Sequence, residues 1–221
     1  MTRRSFAASV FGVAASLRPA LAADPKLFYS KSFPGSKPAY AEVRLERDGQ
    51  GVFRDDPADD QPVKFKLEPA EVEAIYLLSE KLGHFSHPVE SGLKVANMGE
   101  KTFRVELADG RTQEVKFNYS ENPDAQALLD WFERIVESEM LLIDLQRTAK
   151  FDRLGVNQIL LRLEAAWDRK RLIAVAQYLP MLDRVAKNDS YLNMARERAA
   201  KLGVFFREAV APKPASAPEQ R

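Results

Sequence analysis

The sequence predicts an α+β fold: an antiparallel sheet with a helix packed on one face, followed by a C-terminal helical unit. In the first half of the chain apolar and polar residues alternate with a period of two, which is typical of strands with one buried face. From about residue 155 onward apolar residues recur every three or four positions, which is typical of helices. Strands that precede a run of helices favour an α+β arrangement over a parallel α/β sheet.

The alternating runs predict the strands of the sheet. Asp48-Gly49 and Asp109-Gly110 lie between runs, and Asp-Gly is a strong signal for a hairpin turn. A further strand is expected over residues 27–33, ending at Pro34-Gly35. The residues expected on the buried face are Ala41, Val43, Leu45, Val63, Phe65, Leu67, Phe103, Val105, Leu107, Val115, Phe117 and Tyr119.

Proline, glycine and asparagine mark the expected ends of the helices. Pro69 suits the first turn of a helix over residues 69–82, and Gly83 suits the position after its end. Asn122-Pro123 is a good cap and first residue for a long helix. Farther on, a helix with a kink or break at Pro180 is expected, and then a last helix capped by Asp189 or Ser190.

These elements divide the chain into four parts. Residues 1–22 are predicted to be a signal peptide, and residues 23–122 a domain of antiparallel sheet and helix. Residues 123–208 are predicted to be a helical region that packs on the sheet domain or extends it. Residues 209–221 are rich in Pro, Ala and polar residues and are predicted to be a disordered tail.

The first 22 residues have the composition of an export signal. They carry Arg3, Arg4 and Arg18 but no acid, then a short apolar run, and end in Ala20-Leu21-Ala22. A basic start, an apolar middle and small residues at Ala20 and Ala22 are typical of a cleaved secretory signal. We therefore expect an exported protein, periplasmic or extracellular, with no transmembrane segment in the mature chain.

The stretch Thr2-Arg3-Arg4-Ser5-Phe6 resembles the twin-arginine export signal. In that signal two arginines precede a variable residue and then a Phe, the position that Phe6 holds. Ala7 and Ala8 depart from the pattern, which prefers Leu and Lys there. The resemblance implies export of the folded protein, and the general secretory route stays open as the alternative.

Composition excludes several classes of function. Removal of residues 1–22 changes the formal net charge from +1 to −2, with 30 Lys and Arg against 32 Asp and Glu. A near-neutral surface gives no electrostatic reason to expect nucleic acid as a partner. The chain has no cysteine, which excludes disulfides, thiol catalysis and zinc bound by cysteine.

A central segment resembles small domains of unknown function in secreted bacterial proteins. It runs over about residues 39–136 and combines two Asp-Gly hairpins, the pattern Leu67-x-Pro69-x-Glu71-Val72, Leu82-Gly83-His84-Phe85, and a helix that begins at Asn122-Pro123. The resemblance supports the predicted fold. It implies no catalytic residue and no cofactor.

The only two histidines form a candidate metal site. His84, His87 and Glu90 follow one another at intervals of three residues, and two imidazoles with a carboxylate could hold zinc or a similar metal. The alternative is that these residues end a helix, where histidine interacts well with the helix dipole. H-x-x-H is a weak signal without a longer pattern, so we favour the alternative.

Three other segments contain residues that could form a site. Residues 54–60 contain four aspartates that could attract calcium, although the spacing of a calcium loop is absent and a solvated turn fits better. Ser86 or Ser91 beside a histidine could be a nucleophile, although no catalytic serine motif surrounds either residue. Residues 91–99 are long enough to be a binding loop between the helix and the second hairpin.

The sequence therefore supports two hypotheses of different class. The first is an exported, non-catalytic binding or interaction domain that packs against a protein or a cell-envelope component, without a cofactor. The second is a metal-binding or hydrolytic enzyme centred on residues 84–99. Convergence of His84, His87 and an acid in a closed pocket would favour the second hypothesis.

Overall fold

The computed structural model describes residues 24–211. The signal residues Arg3, Arg4, Phe6, Ala20 and Ala22 lie outside the described residues, as do residues 212–221 of the predicted tail. Within the described part the fold is α+β with a C-terminal helical unit, which confirms the predicted fold class. Among residues 24–211 no helix has both the length and the apolar character needed to cross a membrane.

The elements follow one another in the expected order. The strands are β1 (Lys26–Ser32), β2 (Tyr40–Leu45), β3 (Gln50–Arg54), β4 (Val63–Lys66), β5 (Glu100–Glu106) and β6 (Thr112–Phe117). The helices are α1 (Pro69–Lys81), α2 (Pro123–Phe151), α3 (Val156–Asp168), α4 (Leu179–Ala186) and α5 (Asn193–Val210). Short 3₁₀ turns occupy Gly83–Phe85 and Val175–Tyr178.

The six strands form one antiparallel sheet in the order β4-β3-β2-β1-β5-β6. The first strand lies in the middle, where Tyr29 pairs with Val43 on β2 and with Phe103 on β5. The alternation predicted the faces correctly for Val43 and Phe117, which are buried, and for Arg44 and Lys116, which are exposed. Glu42, expected on the polar face, is instead buried, because its carboxylate pairs with Arg44 and Arg54. Two helices rather than one contribute to the core of this buried face, because α1 and the first half of α2 both pack there.

The third strand is absent from the alternating runs because a glycine interrupts its pattern. Gly51 pairs with Leu45 and Phe65 on the buried face. A Cβ atom on Gly51 would lie 2.2 Å from the ring of Phe65, so this ring occupies the space of the missing side chain. The apolar side chain that the buried face needs at this position of β3 is thus supplied by Phe65 on β4.

Helix α2 is shared by two hydrophobic cores. Its first half contributes Leu128 and Phe132 to the core under the sheet. Its second half contributes Leu142 and Leu145 to a second core, which is completed by α3, α4 and α5. The core of the sheet therefore extends past residue 122, the end predicted for the sheet domain.

Residues 172–178 cross α2 near its midpoint. The Ser138 hydroxyl accepts a hydrogen bond from the backbone N–H of Ile173 (3.1 Å), and the Tyr178 hydroxyl donates to the Ser138 carbonyl. The Gln177 amide donates to the carboxylate of Glu139 (2.6 Å). These bonds tie the segment to the point where α2 passes from one core to the other.

The C-terminal helices begin later than the sequence predicts. The predicted helix with a break at Pro180 is wrong in its first part, since residues 172–174 are not helical and Ala174 has a φ of 51°. Pro180 instead lies in the first turn of α4, where its missing N–H costs no helical hydrogen bond. The last helix begins at Asn193 after Leu192, and not after Asp189 or Ser190.

We predict that Gly51→Ala destabilises the protein by about 1–3 kcal/mol, because the added methyl group displaces the ring of Phe65. Urea unfolding measures the change, with Gln50→Ala at the exposed neighbouring position as the control. In a Phe65→Leu background the same change should cost less, since the ring is gone. If Gly51→Ala lowered the free energy of unfolding equally in the wild type and in Phe65→Leu, the ring of Phe65 could not be the group that the new methyl group displaces.

We predict that stability falls as pH rises from about 4.5 to about 7, in part because of Glu139. Burial raises the pKa of Glu139 to about 7, against 4.5 for an ordinary Glu, and the hydrogen bond from Gln177 opposes this only in part. The folded state therefore holds a proton in this range that the unfolded state has released, a difference of about 3 kcal/mol.

The comparison is between the wild type and Glu139→Gln, with the exposed Glu208→Gln as the control. Chemical unfolding at several pH values gives the free energy of unfolding of each protein. Between about pH 4.5 and 7 this free energy should fall less in Glu139→Gln than in the wild type, because Gln carries no titrating group. The variant should be more stable than the wild type above pH 7. If the free energy of unfolding changed with pH in the same way in the wild type and in Glu139→Gln, Glu139 could not be the group responsible.

Candidate functional site

The segment that the sequence analysis singled out is a loop beside the edge of the sheet. Residues 86–99 join the 3₁₀ turn Gly83–Phe85 to β5 without regular secondary structure. Residues just after β6 hold both parts of the loop: the backbone N–H of Ser91 donates to the carbonyl of Tyr119 (2.9 Å), and the backbone N–H of Met98 donates to the side-chain oxygen of Asn118 (2.7 Å). It is therefore an ordered loop on a rigid sheet, the usual position for binding residues.

Asn118 is the principal anchor of the loop. Its backbone N–H donates to the Glu90 carboxylate (2.5 Å), and its side-chain oxygen accepts from the backbone N–H of Met98 (2.7 Å). Its side-chain nitrogen donates to the carbonyl of Ala96 (3.0 Å). One residue after β6 thus binds both the beginning and the end of the loop.

Lys101 holds the end of the loop from inside the protein. Its side chain lies on the buried face of the sheet and the residue is only 4% exposed. Its ammonium group donates to the carbonyls of Asn118 (2.7 Å), Gly99 (3.1 Å) and Met98 (3.2 Å). Burial lowers the pKa of Lys101, and the three carbonyls supply the hydrogen bonds that a buried ammonium requires.

The anchored loop presents apolar side chains to solvent. Leu93 is 50% exposed, and Val95 and Met98 are each 39% exposed. Three large apolar residues are thus exposed within six positions, whereas single exposed apolar residues are ordinary on protein surfaces. The loop thus offers an apolar surface whose backbone is already fixed.

The structure places the two histidines in different surroundings. His84 lies in the 3₁₀ turn with a φ of 53°, and its Nδ1 atom is buried without a hydrogen-bond partner among residues 24–211. His87 is exposed, and its Nδ1 atom lies 2.8 Å from the Ser86 hydroxyl. This serine and histidine are neighbours in sequence, and within the described residues no hydrogen bond joins His87 to a carboxylate.

Glu90 is a structural anchor and not a member of a ligand cluster. The N–H of Asn118 is the largest cause that holds the pKa of Glu90 below its ordinary value, so its carboxylate stays charged at neutral pH. In the described part of the chain no three His, Asp or Glu side chains are grouped to hold a metal ion. His84, His87 and Glu90 are therefore not brought together as a ligand shell.

The acidic segment forms a solvated turn, as the sequence analysis favoured. The Asp56 carboxylate accepts from the backbone N–H of Ala58 (2.8 Å), and the Asp59 carboxylate accepts from the N–H of Gln61 (2.9 Å). Two of the four carboxylates thus close the turn between β3 and β4. The segment stays exposed along most of its length.

Sequence reasoning missed Asn118 and Lys101. Lys101 stands at the same alternation position as Phe103 and Val105, so the pattern itself places a lysine on the buried face. A lysine at a position that the alternation assigns to the buried face indicates a buried ammonium with hydrogen-bond partners, and this signal could have identified Lys101. Asn118 carried no such signal, because its partners lie 20 or more residues away in sequence.

A comparison with models of protein families, with curated proteins and with solved structures finds no match for this chain. The resemblance of residues 39–136 to small secreted domains therefore remains one of pattern.

We predict that replacing both histidines changes the melting temperature equally with zinc and with chelator, because they do not share a ligand shell. The variant is His84→Asn with His87→Ala, since Asn tolerates the left-handed backbone at position 84. Thermal unfolding of the wild type and the variant, each with zinc or with EDTA, makes the measurement. A stoichiometric metal in the wild type that is lost in the variant would contradict this prediction.

Proposed function

We propose that the protein is an exported, non-catalytic interaction domain that docks a partner through the loop of residues 91–99. The observation that carries the proposal is the ordered apolar surface formed by Leu93, Val95 and Met98. Because Asn118 and Lys101 already hold the backbone of this loop, docking would require little further ordering. Such preorganisation leaves more of the contact energy for affinity.

The partner that fits this surface is a protein or a component of the cell envelope with an apolar patch. The stretch has one cation, Lys94, among its exposed apolar residues, so contact with it would depend mainly on apolar burial. The near-neutral mature chain supports the same class of partner over nucleic acid.

The state of Glu90, the acid that anchors the loop, favours binding over catalysis. Glu90 accepts hydrogen bonds from the backbone, and its lowered pKa makes it a poor proton donor at neutral pH. Export rests on residues 1–22 of the sequence alone, and it places the partner outside the cytoplasm.

We predict that a photo-crosslinking residue at Met98 forms one adduct of discrete mass in the exporting cell. Leu93→Asp with Val95→Asp should abolish this adduct, because two charges then stand in the apolar contact. Leu77, which is 46% exposed on α1, is the control position for the crosslinker. An adduct that persists in the Asp variant, or that forms equally at Leu77, would contradict docking through the loop.

We predict that exported protein begins at Ala23, because Ala20 and Ala22 stand where a signal peptidase requires small residues. N-terminal sequencing of the exported fraction makes the measurement. Arg3→Lys with Arg4→Lys should block export if the twin-arginine route is used, and undiminished export would leave the general route. Recovery of the protein only from the cytoplasm, with Met1 intact, would contradict export.

A further inference from the structure

A groove lies where α2 leaves the sheet, and none of its lining residues belongs to the loop of residues 91–99. Its volume is about 700 Å³, and it is lined by the end of β1, the turn at residues 36–38, one side of α2 over residues 133–144, and residues 162–171. This volume lies within the range of sites for small molecules, which are often found where two structural units meet.

Tyr29 is one of the residues that line this groove, and its hydroxyl is buried and unpaired among the described residues. The residue is fully buried, and its ring stacks on Phe132 at a centroid distance of 4.9 Å. Its hydroxyl has no hydrogen-bond partner within residues 24–211. Buried hydroxyls are nearly always hydrogen-bonded, so an unpaired hydroxyl on a residue that lines a groove is a group to which a ligand could supply the missing partner.

The acids that line the groove are already occupied. Glu133 pairs with Lys31 (3.2 Å), Glu137 with Arg171 (2.9 Å), and Asp144 with Arg162 (2.9 Å). These three pairs use the carboxylates that could attract a cationic ligand.

Two further cations line the groove beyond these pairs. Lys37 is exposed and has no ion-pair partner in the described part of the chain, and Arg169 reaches only the shared Glu137 at 3.7 Å. Five cations thus line the groove against three acids, and a fourth acid, Asp130, pairs with Arg171 from outside the lining. Val136 and Met140 lie between the charged groups and give it an apolar wall.

We propose that this groove binds a small amphipathic anion with an apolar ring or chain and one acidic headgroup. Lys37 and Arg169 attract the headgroup, and the apolar body lies against Val136 and Met140. A polar atom on the body pairs with the Tyr29 hydroxyl. The site is independent of docking through residues 91–99, because it shares no residue with that loop.

The test uses two fluorescent probes of similar shape and different charge. These are 8-anilinonaphthalene-1-sulfonate, an anion, and N-phenyl-1-naphthylamine, its neutral counterpart. Titration of the purified protein should show saturable binding of the anion at one site, at least tenfold tighter than binding of the neutral probe. Absence of saturable binding, or equal affinity for both probes, would overturn the proposal.

Three variants assign the binding to the groove. Lys37→Ala with Arg169→Ala should weaken binding of the anionic probe at least tenfold, and both side chains are exposed enough for the fold to survive. Lys64→Ala with Lys66→Ala, on the exposed face of β4, is the matched control and should leave binding unchanged. Equal weakening by both double variants would overturn the proposal, since it would mean attraction by net charge alone.

Tyr29→Phe keeps the ring and removes only the unpaired hydroxyl. Binding of the anionic probe should weaken several-fold, while the melting temperature of the free protein should stay the same or rise. Unchanged affinity would overturn the role assigned to Tyr29, because the hydroxyl would then make no contact with the probe. A melting temperature that falls in the free protein would also overturn it, because the hydroxyl would then have a partner within the protein.

Discussion

The structure depends on one continuous helix that belongs to two hydrophobic cores. Over its 29 residues α2 runs about 44 Å, longer than either core alone requires. Asn122 fixes its beginning, since the side chain accepts the backbone N–H groups of Asp124 and Ala125. The sheet and the helical unit are therefore joined by a rigid element and not by a linker.

The candidate sites lie along this helix or beside its beginning. Asn118, which orders the apolar loop, stands four residues before the cap of α2. The groove opens at the middle of α2, where the sheet ends and residues 162–171 fold back. Close by, Ser138 and Glu139 bind the segment that carries Tyr178. Relative movement of the two cores would therefore change the shape of the groove.

The fold could be predicted from the sequence where each element carries its own signal. The hairpin at Asp109-Gly110 and the capped start of α2 are of this kind. The third strand could not be predicted, because the side chain that fills its inward position belongs to Phe65 on the next strand. The candidate site was predicted only as a segment: proximity in sequence suggested His84, His87 and Glu90 as partners, whereas Glu90 bonds to Asn118, 28 residues away.

The central claim is that α2 makes the two cores one cooperative unit. Native-state hydrogen exchange at low denaturant tests it most directly, because it measures the opening free energy of each amide. The account predicts one common value for the sheet amides of Val43 and Phe103, for Leu142 of α2, and for Leu202 of α5. A separate opening of the helical unit at lower free energy, with the second half of α2 exchanging along with it, would contradict the claim.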